Sequence, residues 1–131
     1  MIIPSLDVLY DDGLALLDLE ARCEAEDLQP GGIRHWRTII GDLARLRAGW
    51  RPDDALLAKA PSLSGWGFAG HFDIGLVQLT GTVVGHPRIP DARLVRTSML
   101  LALDTRNVRW ARTLSRFYVL RDPWTPPPAV S

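Results

Sequence analysis

The sequence predicts an α+β fold: an N-terminal helical hairpin and a short third helix, packed on a small antiparallel sheet of three to four strands that can curl toward a barrel. Three observations lead there. Apolar residues recur at helical spacing through the first sixty positions, sustained period-two alternation occurs only between Leu76 and Leu120, and polar connections separate the strand-like runs. At 131 residues the chain is long enough for one core and too short for two. Residues 1–122 therefore read as a single domain, helical over 1–60 and β over 65–120, followed by a Pro-rich tail over 123–131.

The first helix is expected to start at Ser5, a good N-cap, with Asp7 in its first turn where a carboxylate complements the helix dipole. Leu6, Tyr10, Leu14, Leu17, Ala21 and Leu28 follow at helical spacing, and Gln29-Pro30-Gly31-Gly32 ends the run. Asp11-Asp12-Gly13 is a weak point that would split it into a short piece and a main helix. The second helix is expected from Ile33 to Gly49, with Ile33, Trp36, Ile40, Leu43, Leu46 and Trp50 as its apolar stripe. Two helices joined by a Pro-Gly-Gly turn pack as an antiparallel hairpin. A third helix spans Arg51–Ala60, with Pro52 suited to its first position and Pro61 stopping it.

The glycine- and aromatic-rich Ser62–Asp73 holds a bent strand near Gly65–Ala69. Val77–Val83 alternates cleanly, with Val77, Leu79 and Val83 on one face. Val95–Leu103 alternates at its start and then becomes continuously apolar, as a strand does when both faces are covered. Val108–Leu120 is rich in aromatic and β-branched residues, with no Pro or Gly to interrupt it. Asp104-Thr105-Arg106-Asn107 joins the last two runs with good turn formers, giving a hairpin Arg93–Leu103/Val108–Leu120. Gly85–Ala92, with two prolines, is an irregular loop. The apolar residues Val77, Leu79, Val83, Val95, Met99, Leu101 and Leu103 are expected to face the stripe of the second helix.

Composition excludes several classes. An apolar fraction of 47% with five Trp is incompatible with disorder, and no apolar run approaches the ~20 residues of a membrane span. The N-terminus lacks a basic region followed by an apolar one, so no secretion signal is visible. The single cysteine, Cys23, cannot form an internal disulfide and fits a reducing, cytoplasmic setting. Fourteen of the fifteen bases are Arg, as in GC-rich bacterial genomes. Net charge is zero but segregated: residues 1–30 carry eight acids against Arg22 alone, whereas residues 61–131 carry eight arginines and four acids.

Candidate chemistry is sparse. His35, His71 and His86, with Cys23 or Asp73, show no metal-ligand spacing, and no phosphate-cradling glycine motif occurs, so no metal or cofactor is expected. His86 with Ser98 or Ser115 supplies the parts of a small hydrolase or transferase, without a nucleophile elbow to expose a serine. The strongest lead is basic. In one extended strand Arg112, Arg116 and Tyr118 share a face, with Arg96 and Ser98 across the hairpin. Guanidinium groups in a rigid array match carboxylate or phosphate oxygens two at a time. The competing reading pairs these arginines with the acidic N-terminal segment. The residues thus point to a non-catalytic binding or regulatory module meeting a protein partner or an anionic ligand through Arg96, Arg112, Arg116, Tyr118, His86 and Ser98. The alternatives are the small hydrolase and a single-stranded nucleic-acid platform, the latter weakened by the zero net charge.

Read together, Gly85-His86-Pro87, Asp91, Thr97-Ser98, Asp104 and the run Trp110-Ala111-Arg112-Thr113-Leu114-Ser115-Arg116-Phe117-Tyr118 resemble the C-terminal signature of small bacterial proteins grouped only as a domain of unknown function. Where that pattern has Asp-Gly before the Thr-Ser strand, this chain has Asp91-Ala92, which puts a tight glycine turn in question. The resemblance implies a shared fold and a shared surface at His86, Thr97, Ser98, Arg112, Ser115 and Arg116. It implies no reaction.

Overall fold

The computed structural model of the chain describes residues 8–11, 14–17, 36–71 and 76–126. In chain order the described elements are strands β1 (Val8–Asp11) and β2 (Leu14–Leu17), helices α1 (Trp36–Arg47) and α2 (Asp54–Lys59), and strands β3 (Ser62–His71), β4 (Leu76–Val84), β5 (Arg93–Asp104), β6 (Trp110–Thr113) and β7 (Phe117–Leu120).

Five of these strands form an antiparallel meander, β3 through β7, each hydrogen-bonded to the next. An odd number of alternating strands leaves the first and last running the same way. β7 accordingly closes on β3 in parallel, Ser62 opposite Val119 and Leu63 opposite Leu120. Closure requires strong local curvature, which β-bulges supply. One lies in β3 between Ser64 and Gly67, where Gly65 takes φ +57°, a left-handed conformation that favours glycine. Another lies in β5, where Gln78 and Thr80 pair with Met99 and Arg96 across one extra residue. There the Thr97 hydroxyl replaces a ladder partner and accepts from Leu79 N at 3.0 Å.

Two apolar layers result. Inside the barrel lie Leu63, Trp66, Val77, Leu79, Val83, Leu100, Leu103, Ala111, Tyr118 and Leu120. Outside its wall, Ile39, Leu43 and Leu46 of α1 and Leu57 of α2 cover Met99, Leu101, Ala102, Trp110 and Phe117. β5 lies between the layers, and every residue from Met99 to Asp104 is buried. Of the apolar strand residues expected to meet the second helix, only Met99 and Leu101 do so. Val77, Leu79, Val83 and Leu103 point into the barrel, and Val95 packs against that interior set.

The expected architecture is corrected at the N-terminus. No helical hairpin is present among the described residues; β1 and β2 occupy the first half of the expected first helix and pair antiparallel, Asp11 opposite Leu14. β2 then adds to β5 at Leu14–Leu16. The physical reason is that two short apolar runs, Val8-Leu9-Tyr10 and Leu14–Leu17, stand on either side of an Asp-Gly dipeptide in the sequence, a strong hairpin signal. Residues 18–35, including Cys23 and the Pro-Gly-Gly segment, lie outside the described residues. Among the described residues the sheet is the dominant element, and two short helices pack on it.

A second correction concerns the last strand. Val108–Leu120 is not one strand. Thr113 N donates to Arg116 O at 2.9 Å, and the chain reverses through Leu114-Ser115 into β7, which pairs back on β6. The Thr113 hydroxyl holds this reversal, donating to Arg116 O and accepting from Ser115 N and Arg116 N at 3.2–3.4 Å. The connection before it is the Asp104 turn, whose buried carboxylate accepts from the backbone N–H groups of Arg106, Asn107 and Arg109. α2 is capped by Asp53, whose Oδ1 accepts from Leu56 N at 2.8 Å. After β7 the chain continues along β3, with Trp124 N donating to Trp66 O, while the Trp124 side chain stands exposed.

Candidate functional site

The reversal at Leu114-Ser115 separates residues that a continuous strand would align. Tyr118 turns into the barrel interior, where burial raises its phenol above the usual range and the nearby Arg116 charge opposes that rise. Arg112 turns toward the helices and is almost wholly buried. Its Nε donates to Asp42 Oδ2 at 3.1 Å, its Nη1 donates to Thr113 O at 2.7 Å, and its guanidinium lies 5.4 Å from the Phe117 ring centroid. Burial lowers its pKa and Asp42 opposes that shift. Asp42 also pairs with Arg45 one helical turn on.

Asp42 escaped sequence reasoning although a signal was there. The buried stripe of α1 is Ile39, Leu43 and Leu46, one position off the expected Ile40, and Asp42 sits on that same face. An acid within an apolar helical stripe must find a partner, because burying it alone is prohibitive.

The remaining predicted residues fall in three places. Arg96 is exposed, opposite Thr80 of β4. Ser98 and Ser115 meet across the β5–β6 end, Oγ to Oγ at 3.1 Å. His86 folds into its own loop: Nδ1 accepts from Arg88 N at 3.0 Å and from Ile89 N at 3.1 Å. Burial, then Arg116, then Arg88 lower its pKa. The neutral ring therefore carries its proton on Nε2. A hydrolytic base would need the opposite tautomer.

The same loop is closed by Asp91, which accepts from Gly85 N at 2.9 Å, and by Ala92, which donates to Val83 O at 2.8 Å. Ala92 takes φ +67°, so the turn forms with alanine where the similar pattern has glycine.

What the fold does assemble is a cleft of about 380 Å³. Leu56, Lys59 and Ala60 of α2 and its end form one side, Gly85 and Pro87 a second, and Arg116 and Phe117 a third, with Asp42 and Arg112 also lining it. Its charges are unevenly satisfied. Asp42 and Arg112 satisfy one another, whereas Arg116 has no ion pair among the described residues, and its Nε is buried without a hydrogen-bond partner. Lys59, exposed at the end of α2, adds a second cation. A smaller cavity of about 210 Å³ beside the Asp104 turn differs in this respect. There Arg51 donates to Leu46 O and Trp50 O, Arg109 pairs with Asp54 at 3.6 Å, and Asp104 is committed to the turn backbone. Among the described residues no group of three His, Cys, Asp or Glu is placed to hold a metal ion, and no helix is long and apolar enough to cross a membrane.

The described residues thus form a small five-stranded barrel, extended by β1 and β2, with two helices on its wall and a cationic cleft where α2, the Gly85 loop and the β6–β7 hairpin meet. The chain belongs to a family of unknown function, DUF6634, whose family model matches residues 29–123, a span that includes both helices, the whole barrel and every residue of the cleft. Comparison with curated proteins and with solved structures gave no significant match.

Proposed function

We propose that the protein is a non-catalytic binding module, acting in the cytoplasm, that captures an anionic group of a protein partner or a small ligand in the cleft bounded by Lys59 and Arg116. The observation that carries this reading is the buried, unpartnered Nε of Arg116. A buried donor left without an acceptor costs about 1–3 kcal/mol, so an acceptor supplied by a bound group would be favoured there. Two further features support it. The cleft's carboxylate, Asp42, is already engaged by Arg45 and Arg112, so it does not neutralise Arg116. The neutral His86 ring, with Nδ1 committed to the Arg88 and Ile89 N–H groups, leaves no ring nitrogen to take a proton from a serine.

The test is a titration of isotopically labelled protein with sodium acetate, followed by NMR at the Arg116 Nε–H and the Gly85 amide. Saturable shifts at both positions are expected in the parent and in Arg96→Ala, and the Gly85 amide shift is expected to be lost in Arg116→Ala. Arg116 contributes backbone, not side-chain, bonds to the reversal, so its truncation leaves the hairpin intact. Shifts that persist unchanged in Arg116→Ala would refute the assignment.

A further inference from the structure

We infer that the cleft selects a carboxylate carried on a short apolar body, a step that rests on the anion-binding reading above. Its two kinds of wall carry the argument. Lys59 and Arg116 supply cationic donors, while Leu56, Ala60, Pro61, Pro87 and Phe117 supply apolar surface. The space is too large for a bare anion. About 380 Å³ holds roughly a dozen water volumes at ~30 Å³ each, and a carboxylate or phosphate head displaces only a few of them. An inorganic anion would satisfy Arg116 and leave the apolar wall wet. A neutral apolar ligand would dry the wall and leave the Arg116 donor stranded. Only a ligand with both parts meets both demands.

The head is assigned as a carboxylate on shape: its planar pair of oxygens matches the fork of Arg116, the guanidinium of the cleft that Asp42 does not engage. The same chemistry occurs in a free short-chain acid and at the end of a peptide chain with an apolar last residue.

The experiment is calorimetric and NMR titration of the full chain with acetate, butyrate and hexanoate, with N-acetyl-leucine as the chain-end mimic and inorganic phosphate as the competing head. Affinity is expected to rise about fourfold per methylene that enters the cleft, to depend on Arg116, and to exceed that for phosphate. N-acetyl-leucine binding more tightly than hexanoate identifies a chain end as the source, and the reverse identifies a free acid. Equal affinity along the acid series, with Arg116 still required, overturns this inference and leaves the anion-binding reading standing. Phosphate binding as tightly as hexanoate overturns the carboxylate assignment. If no probe responds to Arg116→Ala, both readings fall. In Ala60→Leu, which narrows the apolar side, the chain-length dependence is expected to flatten while acetate binding persists.

Discussion

Separating Asp42 from Arg112 is the sharpest perturbation of this fold. Their side chains are 9% and 4% exposed, and the 3.1 Å contact spans from α1 to β6. At an effective dielectric of ~20 a charge pair at that distance attracts by roughly 5 kcal/mol before desolvation is subtracted. Desolvation offsets most of this, so the pair contributes little net stability. Removing one member nevertheless leaves the other charge buried, at a cost of about 3–5 kcal/mol. The two singles are not equivalent. Asp42 keeps Arg45 when Arg112 is lost, whereas Arg112 without Asp42 retains only the Thr113 carbonyl and the Phe117 ring. Asp42→Leu is therefore expected to destabilise more than Arg112→Met, and the double variant less than either alone. Urea denaturation of the four proteins measures this, with an expected coupling of about 2–3 kcal/mol. Singles within ~0.5 kcal/mol of the parent, or strictly additive effects, would show that the pair is solvated and that the burial argument is wrong.

Other expectations concern the loops. His86 has its pKa lowered in the folded protein relative to the ordinary 6.5, so the unfolded chain binds the extra proton first as pH falls. Stability is then fully present above 6.5 and lost as pH drops through the folded value, because imidazolium cannot accept from Arg88 N and Ile89 N. Melting curves between pH 8 and pH 5 should show this extra acid sensitivity, and His86→Ala should remove it; parallel curves for the two proteins would exclude the coupling. Asp104→Ala strips acceptors from three backbone N–H groups and should cost about 2–3 kcal/mol, read by chemical denaturation. Ala92→Gly relieves a left-handed alanine worth ~1–2 kcal/mol of strain, against a smaller entropic loss, and should raise the melting temperature. A lower value would mean the loop gains nothing from glycine.

How much of this was legible in the sequence depends on where the deciding information lies. The β4 alternation and the doubly covered end of β5 were readable because burial on one or two faces writes itself directly into the residue pattern. The Asp104 turn was readable because its side chain makes the turn. The reversal at Thr113–Arg116 was not, since it contains no Gly, Pro, Asn or Asp and depends on a threonine hydroxyl bonding locally. The N-terminal strands were misread because Leu6, Tyr10, Leu14 and Leu17 also satisfy helical spacing; the Asp12-Gly13 dipeptide was the better guide. Barrel closure rests on the parallel pairing of Ser62-Leu63 with Val119-Leu120, far apart in the chain, which no local pattern specifies.

The consequence for function runs through that unread reversal. Were β6 and β7 one strand, Arg112, Arg116 and Tyr118 would form a single exposed row competing for one partner. Reversal at Leu114-Ser115 instead sends each to a different environment. Tyr118 completes the interior, Arg112 is neutralised by Asp42 beneath the cleft, and Arg116 is left at its wall with a donor unmet. Arg112 then serves recognition only indirectly. By engaging Asp42 it keeps the cleft's carboxylate from capturing Arg116, and so leaves that guanidinium of the cleft without an ion pair among the described residues. On this reasoning Arg112→Met should weaken anion capture as well as stability, because Asp42 then keeps only Arg45 and its negative charge in the cleft is less fully offset, and Asp42→Leu combined with Arg112→Met should restore capture.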